Sequence, residues 1–522
     1  MQYGILRPSR ATSATALATV IFALVAGTAR NAPAAEGEYS FHRDHILGTS
    51  FDLKVLGASR AQAEACERAV LAEIERLDKI LNSRIPNSEI SRMATARNEF
   101  KCSTDLYNVM KACNSWRIRT AGAFNANVGE LFALWKNAAK SNQLPTSRQL
   151  TEATARLKKT AWRLDTRSQT VKPSSKMHLM ADGLAKGYII DKALAAGRKQ
   201  TPQATGLLVD IGGDIATWSA SGDDANKWLV DIADPFRSEN NAPAMTTLRL
   251  ANKSVATSGS YARHFKIGSK RYSRIIDPRS GRPADGVVSA TVVADNTMTA
   301  DALATALCVL TPSKGVALIN RLLHVECLIV DSAGKKYRSR KWAAGESAKS
   351  PDTPKPAVAA GSDQNRWPEG YNVKIGLTLK KNPPSRKKKK KKYHRPYVGV
   401  MIVSPSGKPV KTLALWVERK TKYDKELRGW YSTGRNYRAK TRRAVSRGTR
   451  PAGSYTLLWD GRDDDGKPVK QGTYGVFIEI NREGGFRVSM RANINCGTSP
   501  DSARMAGNNE SDGAWARYGP AK

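Results

Sequence analysis

A polar, proline-rich segment divides this chain into two parts with different patterns. Residues 346–365 begin Glu-Ser-Ala-Lys-Ser-Pro-Asp-Thr-Pro-Lys-Pro and have no apolar period, which is typical of a linker. Helical and strand patterns alternate before this segment, whereas strand patterns separated by turn residues follow it. We therefore predict an α+β domain at 40–345, an all-β domain at 366–495 and a flexible tail at 496–522.

The first 35 residues have the pattern of a secretory signal peptide. Arg7 and Arg10 give a basic start, residues 14–27 form a weakly apolar run, and small residues follow up to Ala35. The run is shorter than the ~20 apolar residues that cross a bilayer. We expect an exported protein, periplasmic or envelope-associated once residues 1–35 are removed. The alternative interpretation is a disordered, alanine-rich tail.

The formal net charge of +39 would indicate nucleic acid in a cytoplasmic protein. An exported chain instead meets anionic lipids, lipopolysaccharide and wall polymers, so we predict no nucleic-acid partner. Residues 386–392 form an unbroken cationic run. This run is either a solvated loop tip or a contact for an anionic envelope surface.

The six cysteines show no CxxC or CxxH spacing, so the sequence supports neither a zinc cluster nor a dithiol redox site. Most of them are predicted to be small buried residues. Cys102 and Cys113 are a possible disulfide pair, which the sequence does not decide.

Two glycine-bearing segments of the first domain are candidates for ligand contact. Residues 183–188, Gly-Leu-Ala-Lys-Gly-Tyr, open a predicted helix, where backbone N–H groups and Lys186 can face a diphosphate. Residues 208–214 form a strand that ends in Gly212-Gly213 and allow close backbone approach. Plain helix capping and a tight turn are the alternative interpretations.

A third and a fourth segment follow. Residues 275–281, Ile-Ile-Asp-Pro-Arg-Ser-Gly, carry a turn signal. In Ala-Asp-Ala-Leu-Ala-Thr-Ala at 300–306, Asp301 and Thr305 lie four residues apart on one helix face. An aspartate among alanine and leucine is unfavourable unless it pairs with a cation or hydrogen bonds, and a hard divalent ion would satisfy it. The alternative is an aspartate that interacts with the helix dipole.

In their order along the chain and in their residues, these segments resemble the ApbE family of FAD:protein FMN transferases over residues 44–340. Further matches are Gly48-Thr49, Gly-Ala-Phe-Asn at 122–125 and Leu134-Trp135. The resemblance implies a two-lobed, T-fold-like domain that cleaves the pyrophosphate of FAD, releases AMP and esterifies FMN to a threonine. The acceptor protein would carry a motif like Asp-x-x-Ser-Gly-Ala-Thr.

The resemblance also implies roles for individual residues. It assigns magnesium to the side chains of Asp301 and Thr305 and to a backbone carbonyl near Gly183. Because a threonine hydroxyl is a poor nucleophile, a carboxylate must accept its proton, and the candidates for this catalytic base are Asp301 and a metal-bound neighbour. The residues that it assigns to FAD are Ala123, Phe124, Asn125, Lys186, Arg274 and Ile275.

This chain departs from the family pattern at several positions. Arg274 stands where the family commonly has His, Asn125 where it has Asp, and Arg84 where it has Tyr. Arg274 cannot shuttle a proton, since its charge is permanent, but it can hold a phosphate. The main alternative function is therefore a non-catalytic, exported FAD-binding or redox-carrier protein.

The second domain resembles an exported β-sandwich family of unknown function that often accompanies these transferases, and its last part also resembles the immunoglobulin-like modules of flagellar hook-cap proteins. The similar segments include Tyr-Val-Gly-Val at 397–400 and the stretch at 459–466. The acidic residues at 460–465 do not fit an EF-hand, because glycines stand at its first and twelfth ligand positions. Thr449 ends a degraded version of the acceptor motif and is a hypothetical acceptor within the chain.

Overall fold

The computed structural model describes residues 37–520, except 159–160, 175–176, 222–227, 238, 261–263, 343–365, 382, 385–393, 418–425, 434–445 and 448. The predicted signal peptide, the linker and the cationic run at 386–392 lie outside the described residues. Among the helices that are described, none is long and apolar enough to cross a membrane.

The first domain mixes helices and strands, which confirms the α+β prediction. Its helices are α1 Arg60–Leu81, α2 Glu89–Thr95, α3 Thr104–Arg119, α4 Gly129–Ser141, α5 Ser147–Lys158, α6 Asp182–Gln200, α7 Thr297–Val309 and α8 Pro312–Ile319. Its strands are β1 Gly37–Ile46, β2 Thr49–Ala58, β3 Phe100–Lys101, β4 Trp162–Asp165, β5 Thr170–Pro173, β6 Gly206–Ile211, β7 Asp214–Ser219, β8 Trp228–Ile232, β9 Thr246–Leu250, β10 Ser254–Gly259, β11 His264–Ile267, β12 Lys270–Ser273, β13 Val287–Ala294, β14 Glu326–Asp331 and β15 Lys336–Arg338.

An eight-stranded antiparallel sheet with the order β1-β2-β6-β7-β10-β13-β14-β15 is the scaffold of this domain. Because side chains alternate along a strand, its two faces bury different sets. Ala256 and Val292 face the core that includes α1, α6 and α7. Val255 and Val293 face the opposite way, against the hairpin of β8 and β9. The sheet therefore has a helical face and a hairpin face.

A smaller apolar cluster lies beside the main core. It joins α4 and α5 to the hairpin of β11 and β12 through Leu131, Trp135, Leu157, Phe265 and Ile276. The turn at residues 275–281 is thereby held by packing as well as by its own hydrogen bonds.

The second domain is a sandwich of two sheets, as predicted. Its elements are β16 Tyr371–Leu379, β17 Tyr397–Val403, β18 Pro409–Trp416, α9 Arg428–Thr433, β19 Ser446–Arg447, β20 Gly453–Trp459, β21 Gly472–Asn481, β22 Arg487–Cys496, β23 Asp501–Met505 and β24 Ser511–Pro520. One sheet has the order β20-β16-β24-β23 and the other β19-β18-β17-β21-β22. Their inner faces share one apolar core.

The prediction of a flexible tail at 496–522 is wrong. β23 and β24 fall within it, and β24 pairs with β16 along nine positions from Tyr371 to Leu379. Ala516 and Tyr518 are buried in the sandwich core. The composition of this segment is polar because the residues that alternate with the buried ones, such as Arg517, are exposed, as expected for a strand with one buried face.

All six cysteines are buried and free, so the possible Cys102–Cys113 disulfide is not present. Burial raises the pKa of Cys102 and of Cys113 to about 12. These thiols therefore behave as small apolar residues, in line with the sequence prediction.

Candidate functional site

Helices α6 and α7 touch backbone to backbone at Gly187. A Cβ at Gly187 would overlap the carbonyl of Thr297, so only glycine permits this approach. The Gly187 N–H donates to Asp301 Oδ2 at 3.3 Å. Asp191 accepts hydrogen bonds from the backbone N–H groups of Thr297 at 2.7 Å and Met298 at 3.0 Å. These contacts set the position of α7, and with it Asp301, relative to α6.

Asp301 lies deep between the two helices. The residue is 4% exposed, and burial raises the pKa of its carboxyl well above the usual range, with the nearby Asp214 charge adding to the shift and Lys186 opposing it. A carboxylate in such a place is stabilised only by a cation or by hydrogen bonds. The predicted unusual environment of Asp301 is thus present in the structure.

Lys186 reaches this cluster from α6. Its Nζ lies 2.6 Å from Asp214 Oδ2, and Asp214 is 2% exposed at the start of β7. Burial lowers the pKa of Lys186, but the charges of Asp214 and Asp301 outweigh that effect and the net shift is upward. Asp214 is a site residue that was not predicted from the sequence; its only signal is an acidic residue directly after Gly212-Gly213.

Thr305 and Gly183 meet one helical turn further along. A Cβ at Gly183 would lie 2.9 Å from Thr305 Oγ1, so this hydroxyl lies against the first turn of α6. Ser258 Oγ, at the end of β10, is 3.3 Å from the same oxygen. The structure therefore brings together all three residues of the predicted metal set, Gly183, Asp301 and Thr305, and adds Ser258.

The donor set and its charge fit a divalent cation. The two buried carboxylates of Asp301 and Asp214 share one ammonium, that of Lys186, so the ionised cluster has an excess of negative charge. The surrounding side-chain donors are carboxylate and hydroxyl oxygens, which magnesium prefers. Within the described residues, no group of three or more His, Cys, Asp or Glu side chains has the arrangement of a metal site.

Residues 123–125 form a buried loop beside the start of α6. Asn125 Oδ1 accepts a hydrogen bond from the Asn127 N–H at 2.9 Å, and Asn127 Oδ1 accepts one from the His178 N–H at 2.6 Å. The Met180 N–H donates to the Ala126 carbonyl at 2.7 Å. These hydrogen bonds connect the loop, which includes Ala123 and Phe124, to the segment that precedes α6.

The turn at 275–281 borders the same loop. A Cβ at Gly122 would lie 3.7 Å from Arg279 Cγ. Arg279 also pairs with Asp277 at 2.9 Å and donates to the Val309 carbonyl at the end of α7. The predicted flavin contacts Phe124 and Ile275 therefore lie on neighbouring segments, next to the helices that carry the charged cluster.

Arg274 packs on aromatic rings. Its guanidinium carbon lies 5.1 Å from the ring centre of Phe132 and 5.9 Å from that of Phe265, which is the range of a cation–π contact. Its exposed side chain thus lies on the surface of the smaller apolar cluster. A contact between Arg274 and the flavin remains a prediction.

Arg84 lies at the N-terminus of α6. Its guanidinium pairs with Asp182, the first residue of that helix, and both side chains are largely exposed. Asp182 also contributes to the negative field at Asp301. The departure from the family pattern at this position therefore places a cation beside the charged cluster.

The buried carboxyl of Asp210 should make the folding stability depend on pH in a defined direction. Burial, Asp52 and Asp214 raise the pKa of its carboxyl to about 7, against the hydrogen bond from Gly213 and the charge of Lys186. A carboxyl near 3.9 in the unfolded chain then binds more protons when folded, so its contribution to stability falls as the pH rises from about 4 to 7. We expect Asp210→Asn to raise the free energy of unfolding by up to about 4 kcal/mol at pH 8 and much less at pH 4.5.

Urea unfolding of both proteins at the two pH values measures this difference, in which the other titrations largely cancel. Asn retains the oxygen that accepts the Gly213 N–H. An equal difference at pH 4.5 and pH 8 would contradict the assignment.

Similarity to relatives of known activity establishes the class of the protein. An FAD:protein FMN transferase from Vibrio cholerae is 28% identical over 309 residues, which cover 57% of this chain and 89% of the relative. One from Klebsiella pneumoniae is 27% identical over 292 residues, covering 55% and 87%. The ApbE protein of Thermotoga maritima superposes with a TM-score of 0.53 at 27% identity, over 59% of this chain and 99% of that structure. The chain is a transferase.

It belongs to the ApbE family, whose model matches residues 47–329, more than half of the chain. A second model, described as a predicted periplasmic protein (DUF2271), matches residues 384–512. This match extends to β24 and so includes most of the region expected to be a tail. The similarities noted in the sequence for both domains are thereby confirmed.

Proposed function

We propose that this protein transfers FMN from FAD to a threonine hydroxyl of an exported acceptor protein, in a magnesium-dependent reaction that releases AMP. The single observation that carries the proposal is the cluster of Asp301, Thr305, Gly183 and Lys186, in which Asp301 is buried and the other three are half-buried. It combines oxygen ligands for a hard cation with an ammonium, at the start of a helix. The named activity of the relatives supports the same reaction.

The chemistry of the cluster suits a diphosphate. Cleaving a pyrophosphate requires its negative charge to be neutralised and its groups to be aligned. Asp301, Thr305 and the Gly183 carbonyl would hold magnesium, which supplies that neutralisation when bound. Lys186 adds a positive charge next to Asp301, and the N–H groups of the first turn of α6 favour an anion.

The transfer step itself is a displacement at phosphorus. The threonine oxygen forms a bond to the phosphorus of the FMN half, and the bridging bond to the AMP oxygen breaks. The threonine proton must pass to a base, because a neutral hydroxyl is a weak nucleophile. We propose a carboxylate oxygen of Asp301 as this base.

The packing of Arg274 favours the second candidate, a non-catalytic FAD-binding protein. Arg274 stands where the family has a residue that can shuttle protons, and its guanidinium is held on Phe132 and Phe265. If that proton transfer is essential, binding would persist while transfer is lost.

One assay separates the two functions. The full chain is incubated with FAD, magnesium and an acceptor protein that carries Asp-x-x-Ser-Gly-Ala-Thr, and AMP and the acceptor mass are measured. Transfer predicts stoichiometric AMP and an FMN adduct on the final threonine, both absent with EDTA or with a Thr→Ala acceptor. FAD binding without AMP or adduct would establish the second candidate and refute transfer.

The proposal includes export. The predicted signal peptide and the match of the second domain to a predicted periplasmic protein support it, and the cationic run at 386–392 would then face anionic envelope polymers. Fractionation of cells that express the full chain should recover it outside the cytoplasm, shortened at its N-terminus. A full-length cytoplasmic product would contradict this part.

A further inference from the structure

The loop between β8 and β9 contacts an edge strand of the second domain. The Asn240 N–H donates to the Thr456 carbonyl at 2.8 Å, and Asn240 Oδ1 accepts from the Thr456 N–H at 3.2 Å. β20, which contains Thr456, is the outermost strand of its sheet. Its free edge is thus covered by the first domain.

Asn241 repeats this pattern two residues further along β20. Its Nδ2 donates to the Leu458 carbonyl at 2.8 Å, and its Oδ1 accepts from the Leu458 N–H at 2.8 Å. A side-chain amide has the donor and acceptor of a peptide group, so the Asn241 side chain makes the two hydrogen bonds that a neighbouring strand would make to Leu458. Alternate residues of an edge strand direct both backbone groups outward, and here Thr456 and Leu458 have both groups bonded.

An ion pair flanks these hydrogen bonds. Glu239 Oε1 lies 3.5 Å from Lys374 Nζ on β16, and the Glu239 side chain is only 12% exposed. The Ala242 N–H closes the loop by donating to the Glu239 carbonyl at 3.0 Å. Three consecutive residues, 239–241, therefore all bind the sandwich.

The position of this loop determines where the sandwich lies. β8 and β9 pack on the hairpin face of the main sheet, against Val255, Val293 and Leu328. Asp301 and Thr305 belong to α7, which packs on the helical face with Ala256 and Val292. The contact is thus made from the face opposite the charged cluster.

From these contacts we propose that residues 239–241 are a docking element. It binds the edge of β20 that no other strand of the sandwich covers, and it holds the second domain in one position on the hairpin face of the first. The second domain is then joined to the first by this interface as well as by the linker. It leaves the helical face, and the cluster of Asp301 and Lys186, open to a protein acceptor. An uncovered edge strand would be prone to pairing with other chains, so docking also protects the sandwich.

A cleavable linker tests the proposal in the full chain. A recognition sequence for a specific protease is placed within 346–365, the C-terminus is tagged, and the tag is used to capture the protein after complete cleavage. We expect the untagged first domain to be retained at micromolar concentration. In Asn240→Ala/Asn241→Ala, the loss of three side-chain hydrogen bonds should weaken association at least about 100-fold, and the first domain should wash away.

Two further variants make the result specific. Asn241→Asp keeps the acceptor but cannot donate to the Leu458 carbonyl, so it should give partial release. Asn137→Ala changes an exposed asparagine of α4 and should be retained like the unaltered protein. Release of the unaltered first domain after cleavage, or equal retention of the double variant, would overturn the proposal. The measurement uses no flavin, so it is independent of the proposed function.

Discussion

Asp301→Asn is expected to abolish flavin transfer while making the metal-free protein more stable. Asn keeps the shape of the side chain but removes the charge that would hold magnesium and accept the proton. We expect a loss of at least about 100-fold in rate, as when a group that stabilises transition-state charge is removed. Stability moves in the opposite direction, because burial and Asp214 make an ionised Asp301 unfavourable in the absence of a cation.

The sign of the stability change depends on pH. Since the folded chain holds the proton of Asp301 more tightly than the unfolded chain, the contribution of this group is lost as the pH rises above about 3.9. The gain in the free energy of unfolding for Asp301→Asn should therefore be larger at pH 8 than at pH 5. Urea titrations at both pH values measure it, alongside the AMP assay.

Magnesium gives an independent readout for the same residue. A ligand that binds only the folded chain raises its melting temperature, so magnesium with FAD should stabilise the unaltered protein and have little effect on Asp301→Asn. Glu75→Gln changes an exposed carboxylate of α1 that pairs with Lys79 and should alter neither rate nor magnesium response. A variant at Asp301 that retains both would refute the assignment of metal and base.

Arg482→Ala is expected to destabilise the sandwich by about 3–5 kcal/mol, the range for breaking a buried ion pair. Arg482 and Glu510 are 6% and 1% exposed, with Arg482 Nε 2.7 Å from Glu510 Oε2. Glu510 Oε1 also accepts the Phe486 N–H at 2.8 Å. The substitution leaves a buried carboxylate without its cation, under the turn between β21 and β22.

Two matched variants define the origin of this effect. Arg487 and Glu426 form an exposed pair at 3.5 Å, so Arg487→Ala should cost about 1 kcal/mol or less. Replacing both buried partners, as in Arg482→Met with Glu510→Leu, should restore most of the stability, because no unpaired charge remains. Urea unfolding followed by tryptophan fluorescence reports the transition. Equal losses for Arg482→Ala and Arg487→Ala would show that burial is not the cause.

Strongly apolar elements were predictable from local pattern. β6 and β13 are examples, since a short β-branched or apolar run between turn residues favours a buried strand. β24 was missed, because its buried positions are small or aromatic and alternate with polar ones. Nothing local indicates that Gly376 lets Trp515 lie against β16, where a Cβ would overlap the indole.

The sequence alone determined which chemical groups are available: a carboxylate and a hydroxyl four residues apart on α7, and glycines with a lysine at the start of α6. Their types and spacing follow from the chain, because helical geometry is local. Only the tertiary structure decided their partners. The approach of α6 to α7 at Gly187, the pairing of Lys186 with Asp214 and the docking of Asn241 on β20 all join residues distant in sequence. Such contacts depend on how whole elements pack, and no local pattern encodes that.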